Sequence, residues 1–183
     1  MQKILTEIPD VFIIKPDVFV DDRGYFLETY NLKKYLDIGI GVQFKQDNLS
    51  LSKKNVVRGL HYQVGEYAQG KLVQVLKGKV LDIAVDIRFG SPTFGKYVSV
   101  ELSDENHYQL WITTGFAHGF VALEDNTIFS YKCTKLYSKM HERCILYNDP
   151  TLNIDWKVEN PIVSEKDLQG KKFKDIEKDF FYK

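Results

Sequence analysis

The chain carries four histidines, few enough to weigh one by one as general bases, metal ligands or packing groups. His107, in Glu105-Asn106-His107, and His141, in Met140-His141-Glu142, lie among polar, turn-like neighbours and read as solvated surface imidazoles. His61, in Arg58-Gly59-Leu60-His61-Tyr62-Gln63, and His118, in Gly115-Phe116-Ala117-His118-Gly119-Phe120, are embedded in apolar and glycine neighbours. An imidazole in such surroundings must find a hydrogen-bond partner or be used chemically, and its titration near neutrality suits it to taking a proton. Metal ligation is the competing use. No His-x-His, His-Glu-x-x-His or Cys-x-x-Cys occurs, and Tyr62-Gln63 follows His61 where a second histidine would stand. No metal site is expected.

Three further side chains could act beside a histidine base. Lys71 shares strand parity with Val73 and Val75, so it is either an edge ammonium in water or an inward one held by an acid such as Asp82 or Asp86. Tyr131 shares a face with Phe129 and Cys133; a buried tyrosine is usually core, yet its hydroxyl needs a partner and can donate a proton. Asp167 stands three residues after Ser164, a common structural post for a carboxylate in a capping box. Strict alternation puts Arg58 and His61 on opposite strand faces, unless a bulge at Gly59 re-aims one of them.

The elements that must position these residues read mostly as strands. In the segment 71–88, Leu81, Ile83, Val85 and Ile87 fall on one face, with Asp82, Ala84, Asp86 and Arg88 on the other. Lys77-Gly78 splits this segment and gives a short hairpin signal. Runs 97–102, 108–112, 119–123 and 127–134 are short and rich in β-branched or aromatic residues, with turn signals at Asp22-Arg23-Gly24, Gly90-Ser91-Pro92, Thr114-Gly115 and Asn148-Asp149-Pro150. Many short strands at this spacing predict a mainly β, antiparallel jelly-roll barrel. Helix is expected only in short peripheral pieces, at 32–37 and after Ser164. The 183 residues, without repeat or linker, predict one domain over 1–183.

Composition excludes several classes. Twenty-five basic residues balance twenty-five acidic ones, so no global field draws the chain to nucleic acid or anionic lipid. Any phosphorylated ligand must rest on a few local cations. No run approaches the roughly 18 apolar residues of a membrane span, and no leader-like segment opens the chain. Cys133 and Cys144 have no metal-type spacing and read as packing groups in a cytoplasmic protein.

The motifs in order carry a resemblance. They are Asp22-Arg23-Gly24-x-Phe26-x-Glu28, Gln46-Asp47-Asn48-x-Ser50, Arg58-Gly59-Leu60-His61-Tyr62-Gln63, Gln69-Gly70-Lys71-Leu72-Val73, Gly90-Ser91-Pro92-Thr93-Phe94-Gly95-Lys96, Gly115-Phe116-Ala117-His118-Gly119-Phe120, Tyr131-Lys132-Cys133-Thr134 and Ser164-Glu165-Lys166-Asp167. Together, from 19 to 170, they resemble the dTDP-4-dehydrorhamnose 3,5-epimerase family of cupin-type sugar-nucleotide epimerases. The resemblance implies a dTDP-linked 4-keto-6-deoxy sugar as substrate, inverted at C3 and C5 on the way to dTDP-L-rhamnose and cell-surface polysaccharide. Some relatives of this kind invert C3 alone or C5 alone, or take another nucleotide sugar.

Carried over residue by residue, the resemblance implies that His61 is the base, oriented by Asp167. Lys71 stabilises the enolate oxygen at C4, and Tyr131 returns a proton from the opposite face. Arg58 and His118 contact pyrophosphate or sugar, while Arg23, Glu28, Gln46, Asp47, Asn48, Glu142 and Lys166 complete the substrate site. The 4-ketone is itself the electron sink, so no cofactor or metal is implied, in line with the missing ligand signatures and the missing dinucleotide fingerprint. It further implies a homodimer in which N-terminal strands join the partner's sheet, with Arg23 and Glu28 serving the neighbouring site.

Overall fold

The computed structural model describes residues 1–182, so the last residue of the expected 1–183 domain lies outside it. The strands, in chain order, are β1 (Gln2–Leu5), β2 (Val11–Lys15), β3 (Val18–Asp21), β4 (Gly24–Leu27), β5 (Gln46–Ser52), β6 (Val56–Gln63) and β7 (Lys71–Lys77). They continue as β8 (Lys79–Asp86), β9 (Tyr97–Ser103), β10 (Gln109–Ile112), β11 (Phe116–Ala122), β12 (Thr127–Cys133), β13 (Glu142–Cys144) and β14 (Ile162–Val163). Two short helices, α1 (Leu32–Asp37) and α2 (Glu165–Leu168), sit at the periphery.

The strands form two facing sheets in the jelly-roll manner the sequence predicts. One runs β1-β2-β10-β7-β12-β5; the other runs β13-β6-β11-β8-β9, with β14 added parallel to β6. Among the described residues no ladder joins the two sheets into a closed barrel. The period-2 pattern explains the layering. Val80 and Ala84 of β8 meet Val73, Val75, Leu110 and Phe129 between the sheets. Ile83 and Val85 turn the other way, under a cover of Ile145, Leu152, Trp156 and Phe173. Each fully buried aliphatic or phenyl side chain of this kind contributes about 1.5–3 kcal/mol.

One expectation is overturned. Lys77-Gly78 is not a hairpin turn, because β7 pairs with β10 and β12 whereas β8 pairs with β9 and β11. The extended run instead crosses from one sheet to the other at Gly78. That glycine has φ +79°, and a Cβ there would meet Thr127 Oγ1 at 2.6 Å. Packing explains the crossing. The inward sets of both runs share a single core, which they reach only from facing sheets.

Outside the sandwich, β3 and β4 form a separate two-stranded ribbon. It exposes Phe19, Val20, Tyr25 and Phe26, with Val20 78% exposed. The edge strand β5 also carries exposed Leu49 and Leu51.

Candidate active site

A cleft of about 610 Å³ opens between the sheets. The chain places His61, His118 and Arg58 on one wall, from β6 and β11, and Asn48, Lys71 and Tyr131 on the other, from β5, β7 and β12. Lys166 and Asp167 close it from α2.

The pairing of β6 with β11 resolves the parity problem at Gly59. His118 lies opposite His61, and Phe120 lies opposite Arg58, so the register slips between the two pairs. Gly59 and Leu60 together oppose Gly119, a bulge that turns Arg58 and His61 into the same cleft. Only glycines allow it. A Cβ on Gly59 would meet Gly119 Cα at 2.5 Å, and one on Gly119 would meet Arg58 O at 2.7 Å.

His61 Nε2 lies 2.8 Å from Asp167 Oδ1. Ser164 caps α2 as expected, its hydroxyl accepting from the Asp167 N–H. The Asp167 carboxylate does not complete the capping box. It turns to His61 and accepts the Gly59 N–H at 3.2 Å. Burial pushes the Asp167 carboxyl up, but His61, the Gly59 amide and Ser164 outweigh it and hold the group below the usual carboxylate range. A carboxylate so held accepts, which puts the proton on Nε2 and leaves Nδ1 of His61 with the lone pair.

Lys71 is an inward ammonium rather than an edge cation. Burial pulls it below the usual lysine range, and Cys133, Asp82 and Glu142 only partly restore it. Its Nζ lies 3.5 Å from the His61 carbonyl oxygen and 5.9 Å from the Tyr131 ring centre. Asp86 is not its partner, since that carboxylate receives Arg88, Ser91 and Thr93. Tyr131 faces His61 from the opposite sheet, and its phenol is pushed up to about 12, chiefly by burial. It therefore stays protonated at neutral pH and can act as an acid.

His118 is also buried, with Nε2 at 3.0 and 2.9 Å from the two oxygens of Asp82. Burial pulls its imidazole below the usual range against the opposing effect of Asp82. Arg58 donates to Ser52 and to the Leu51 carbonyl, leaving its guanidinium at the mouth. With Lys71 and Lys166 it makes the cleft a local cationic site in a chain of zero net charge.

The remaining predicted residues surround this centre at different distances. Glu142 receives Lys166 Nζ at 2.6 Å and the Tyr137 hydroxyl at 3.0 Å, one contact outside the cleft. Gln46 donates to Asn48 at 2.9 Å, and Asp47 pairs with Lys132 at 2.9 Å beyond the rim. Arg23 and Glu28 do not enter the cleft of their own chain. Arg23 pairs with Asp21 at the ribbon tip, and Glu28 pairs with Lys34 of α1. His107 and His141 are less solvated than expected: His107 packs tilted against Tyr25 and His141 stacks on Tyr67, with ring centres 4.6 and 4.5 Å apart.

Sequence reasoning missed three groups. From the sequence Asp82 reads only as a partner for Lys71, whereas its close contact is His118. Ser50 lines the cleft beside Asn48, and its buried hydroxyl has no partner among the described residues; alternation along β5 was the available signal. Tyr137 bridges Gln46 and Glu142 at the rim, in a loop where no periodicity guides a reading.

His61, Cys144 and Asp167 bring three potential metal donors within 4.8 Å of one another. As it stands the set is a hydrogen-bonded imidazole–carboxylate pair beside a protonated thiol. Nε2 and Oδ1 already share a proton at hydrogen-bond distance, and burial beside Asp167 pushes the Cys144 thiol up to about 12. Thiolate is the ligating form.

A family model described as dTDP-4-dehydrorhamnose 3,5-epimerase matches residues 5–175. A Shigella flexneri protein named dTDP-4-dehydrorhamnose 3,5-epimerase is 55% identical over 182 residues, 99% of each chain. One from Pseudomonas aeruginosa with the same name is 53% identical, over 93% of this chain and 94% of that one. Among solved structures, a Legionella pneumophila dTDP-6-deoxy-D-glucose-3,5-epimerase in complex with dTDP-4-keto-L-rhamnose superposes with a TM-score of 0.96. It is 47% identical, and the likeness covers 100% of this chain and 98% of that one.

Proposed function

The chain belongs to the dTDP-4-dehydrorhamnose 3,5-epimerase family, and from that premise we propose how its cleft inverts C3 and C5 of dTDP-4-dehydro-6-deoxy-D-glucose to give dTDP-4-dehydro-L-rhamnose. His61 takes the proton from the carbon beside the ketone. The C–H electron pair moves into the new C=C bond, and the carbonyl pair moves onto O4 as an enolate. The Lys71 ammonium meets that oxygen, an interaction worth about 3–4 kcal/mol by analogy with oxyanion holes. The O4 pair then re-forms the carbonyl and the C=C pair takes the phenolic proton of Tyr131 on the opposite face, and the resulting phenolate recovers a proton that His61 has released to solvent. Repeating the cycle at the second carbon completes the double inversion.

The observation that carries this reading is the His61–Asp167 pair at 2.8 Å on one wall, facing Tyr131 on the other. A single acid–base group tends to return a proton where it left. Two groups on opposite sheets supply the geometry that inversion needs. Arg58, His118 and Lys166 take the diphosphate and sugar, with Gln46, Asp47, Asn48 and Glu142 at the rim.

The protein works as a homodimer in the cytoplasm. Support for the dimer comes from the apolar ribbon of β3 and β4 and the exposed leucines of the β5 edge. An apolar ribbon with unpaired edges is suited to strand addition. Arg23 and Glu28 ride on or beside that ribbon and reach the neighbouring subunit's cleft. Free Cys133 and Cys144 fit a reducing compartment. Among the described residues no helix is long and apolar enough to cross a membrane.

The deciding experiment incubates the protein with dTDP-4-dehydro-6-deoxyglucose in D2O and follows H3 and H5 by NMR. Deuterium at both positions with inverted products is expected. Exchange at one carbon names a mono-epimerase, and exchange at neither sinks the substrate assignment.

A further inference from the structure

Asp82 is fully buried in β8, behind the cleft wall, and its only hydrogen-bond partner among the described residues is His118. A carboxylate in a dry wall with so little compensation costs several kcal/mol unless a nearby charge answers it. Lys71 is a charge that Asp82 in turn favours. It too is buried, it makes no ion pair within 4 Å among the described residues, and Asp82 is one of the acids that favour its charged form. Asp82 thus stands behind two cleft groups that contact the reacting sugar and touches none of the sugar itself.

We propose that Asp82 is a positioning residue for the epimerisation, holding the proton on His118 Nε2 and supplying the countercharge for the Lys71 ammonium. The inference rests on the reading of the site given above. Both carboxylate oxygens aim at one ring nitrogen, 3.0 and 2.9 Å away. An acceptor on both sides of that nitrogen leaves it no role but donor. His118 Nδ1, which has no partner among the described residues, then carries the lone pair. The ring is thereby preset to accept a hydrogen bond from a sugar hydroxyl. The same charge keeps an ammonium at the enolate end of the cleft, where burial alone would favour the neutral amine. Two side chains are set by one carboxylate before substrate enters, which is the economy of a preorganised site.

The test is Asp82→Asn in the full-length protein, which keeps the side chain's shape and removes its charge. The turnover number kcat should fall by about 10²–10³-fold, the size seen when an oxyanion-stabilising group is lost. The alkaline limb of the kcat profile should move to lower pH. The groups facing Lys71 are His61, Asp82, His118, Tyr131, Cys133 and Glu142. Losing one negative charge among them makes the ammonium easier to deprotonate. A kcat within about threefold of wild type with an unmoved alkaline limb overturns the proposal. A merely structural Asp82 would lower the melting temperature without moving that limb.

Should Asp82→Asn not fold, ¹⁵N NMR of the wild-type protein decides. His118 must show a protonated Nε2 and an unprotonated Nδ1; the reverse tautomer overturns the assignment. This second measurement does not depend on turnover. An error in the substrate, which would appear as no exchange in wild type, is therefore distinguishable from an error about Asp82.

Discussion

His61 has one ring nitrogen committed to Asp167, and that commitment defines its chemistry: the other nitrogen is a lone pair in the cleft, and the imidazolium formed when it takes a proton is stabilised by a carboxylate. His61→Asn should abolish exchange of H3 and H5 by about 10²–10⁴-fold while dTDP binding survives, as judged by calorimetry beside the NMR assay. Near-normal exchange in this variant would remove His61 as the base. Tyr131→Phe should behave differently, retaining wash-out of the substrate hydrogens but losing inversion; equal loss of both would mean the phenol is not the reprotonating acid. Residue types alone took the argument part of the way. His61 and His118 stood out because a strand rich in glycine and apolar residues leaves an imidazole few bland uses. The ordered motifs then supplied roles. The Asp82–His118 contact was not legible, because it joins side chains far apart in the chain, on strands whose pairing no local pattern states.

At the scale of elements, the site depends on the close approach of β6 and β11 at two glycines. Gly119→Ala places a methyl group 2.7 Å from the Arg58 carbonyl oxygen. Neither backbone can yield without shifting the ladder. Overpacking of this kind costs roughly 1–3 kcal/mol, which lowers Tm by about 2–4 °C per kcal/mol in a chain of this size. Activity should fall further than stability predicts, since Arg58 and His61 are carried by the same bulge. Unchanged Tm and kcat would show that the strands separate there at no cost. Strand existence was largely legible: runs 97–102 and 127–134 match β9 and β12 within a residue, and the helix at 32–37 matches α1. The corner at Gly78 was not. A glycine between two alternating runs signals a break in direction, but only the shared core tells whether the chain folds back or crosses over.

For the whole molecule, the exposed ribbon and the placement of Arg23 and Glu28 outside their own cleft bear on one question. Sedimentation should give a mass of twice the chain. Mixing His61→Asn chains with Arg23→Ala chains, each nearly inactive alone, should restore up to about a quarter of wild-type activity, because one cleft of the mixed dimer carries neither substitution. No recovery would place Arg23 at its own subunit's site or at none. The strand β5 gives this architecture a thermodynamic consequence. Asn48, Leu49 and Ser50 line the cleft, while Leu49 and Leu51 also expose most of their surface to solvent at an unpaired sheet edge. In the proposed dimer one strand would serve as wall and seam, so ligand binding and subunit association would share a coupling free energy, and linkage would make that coupling reciprocal. Dilution of such a dimer should then weaken the hold on the sugar nucleotide, and saturating sugar nucleotide should hold the subunits together in sedimentation.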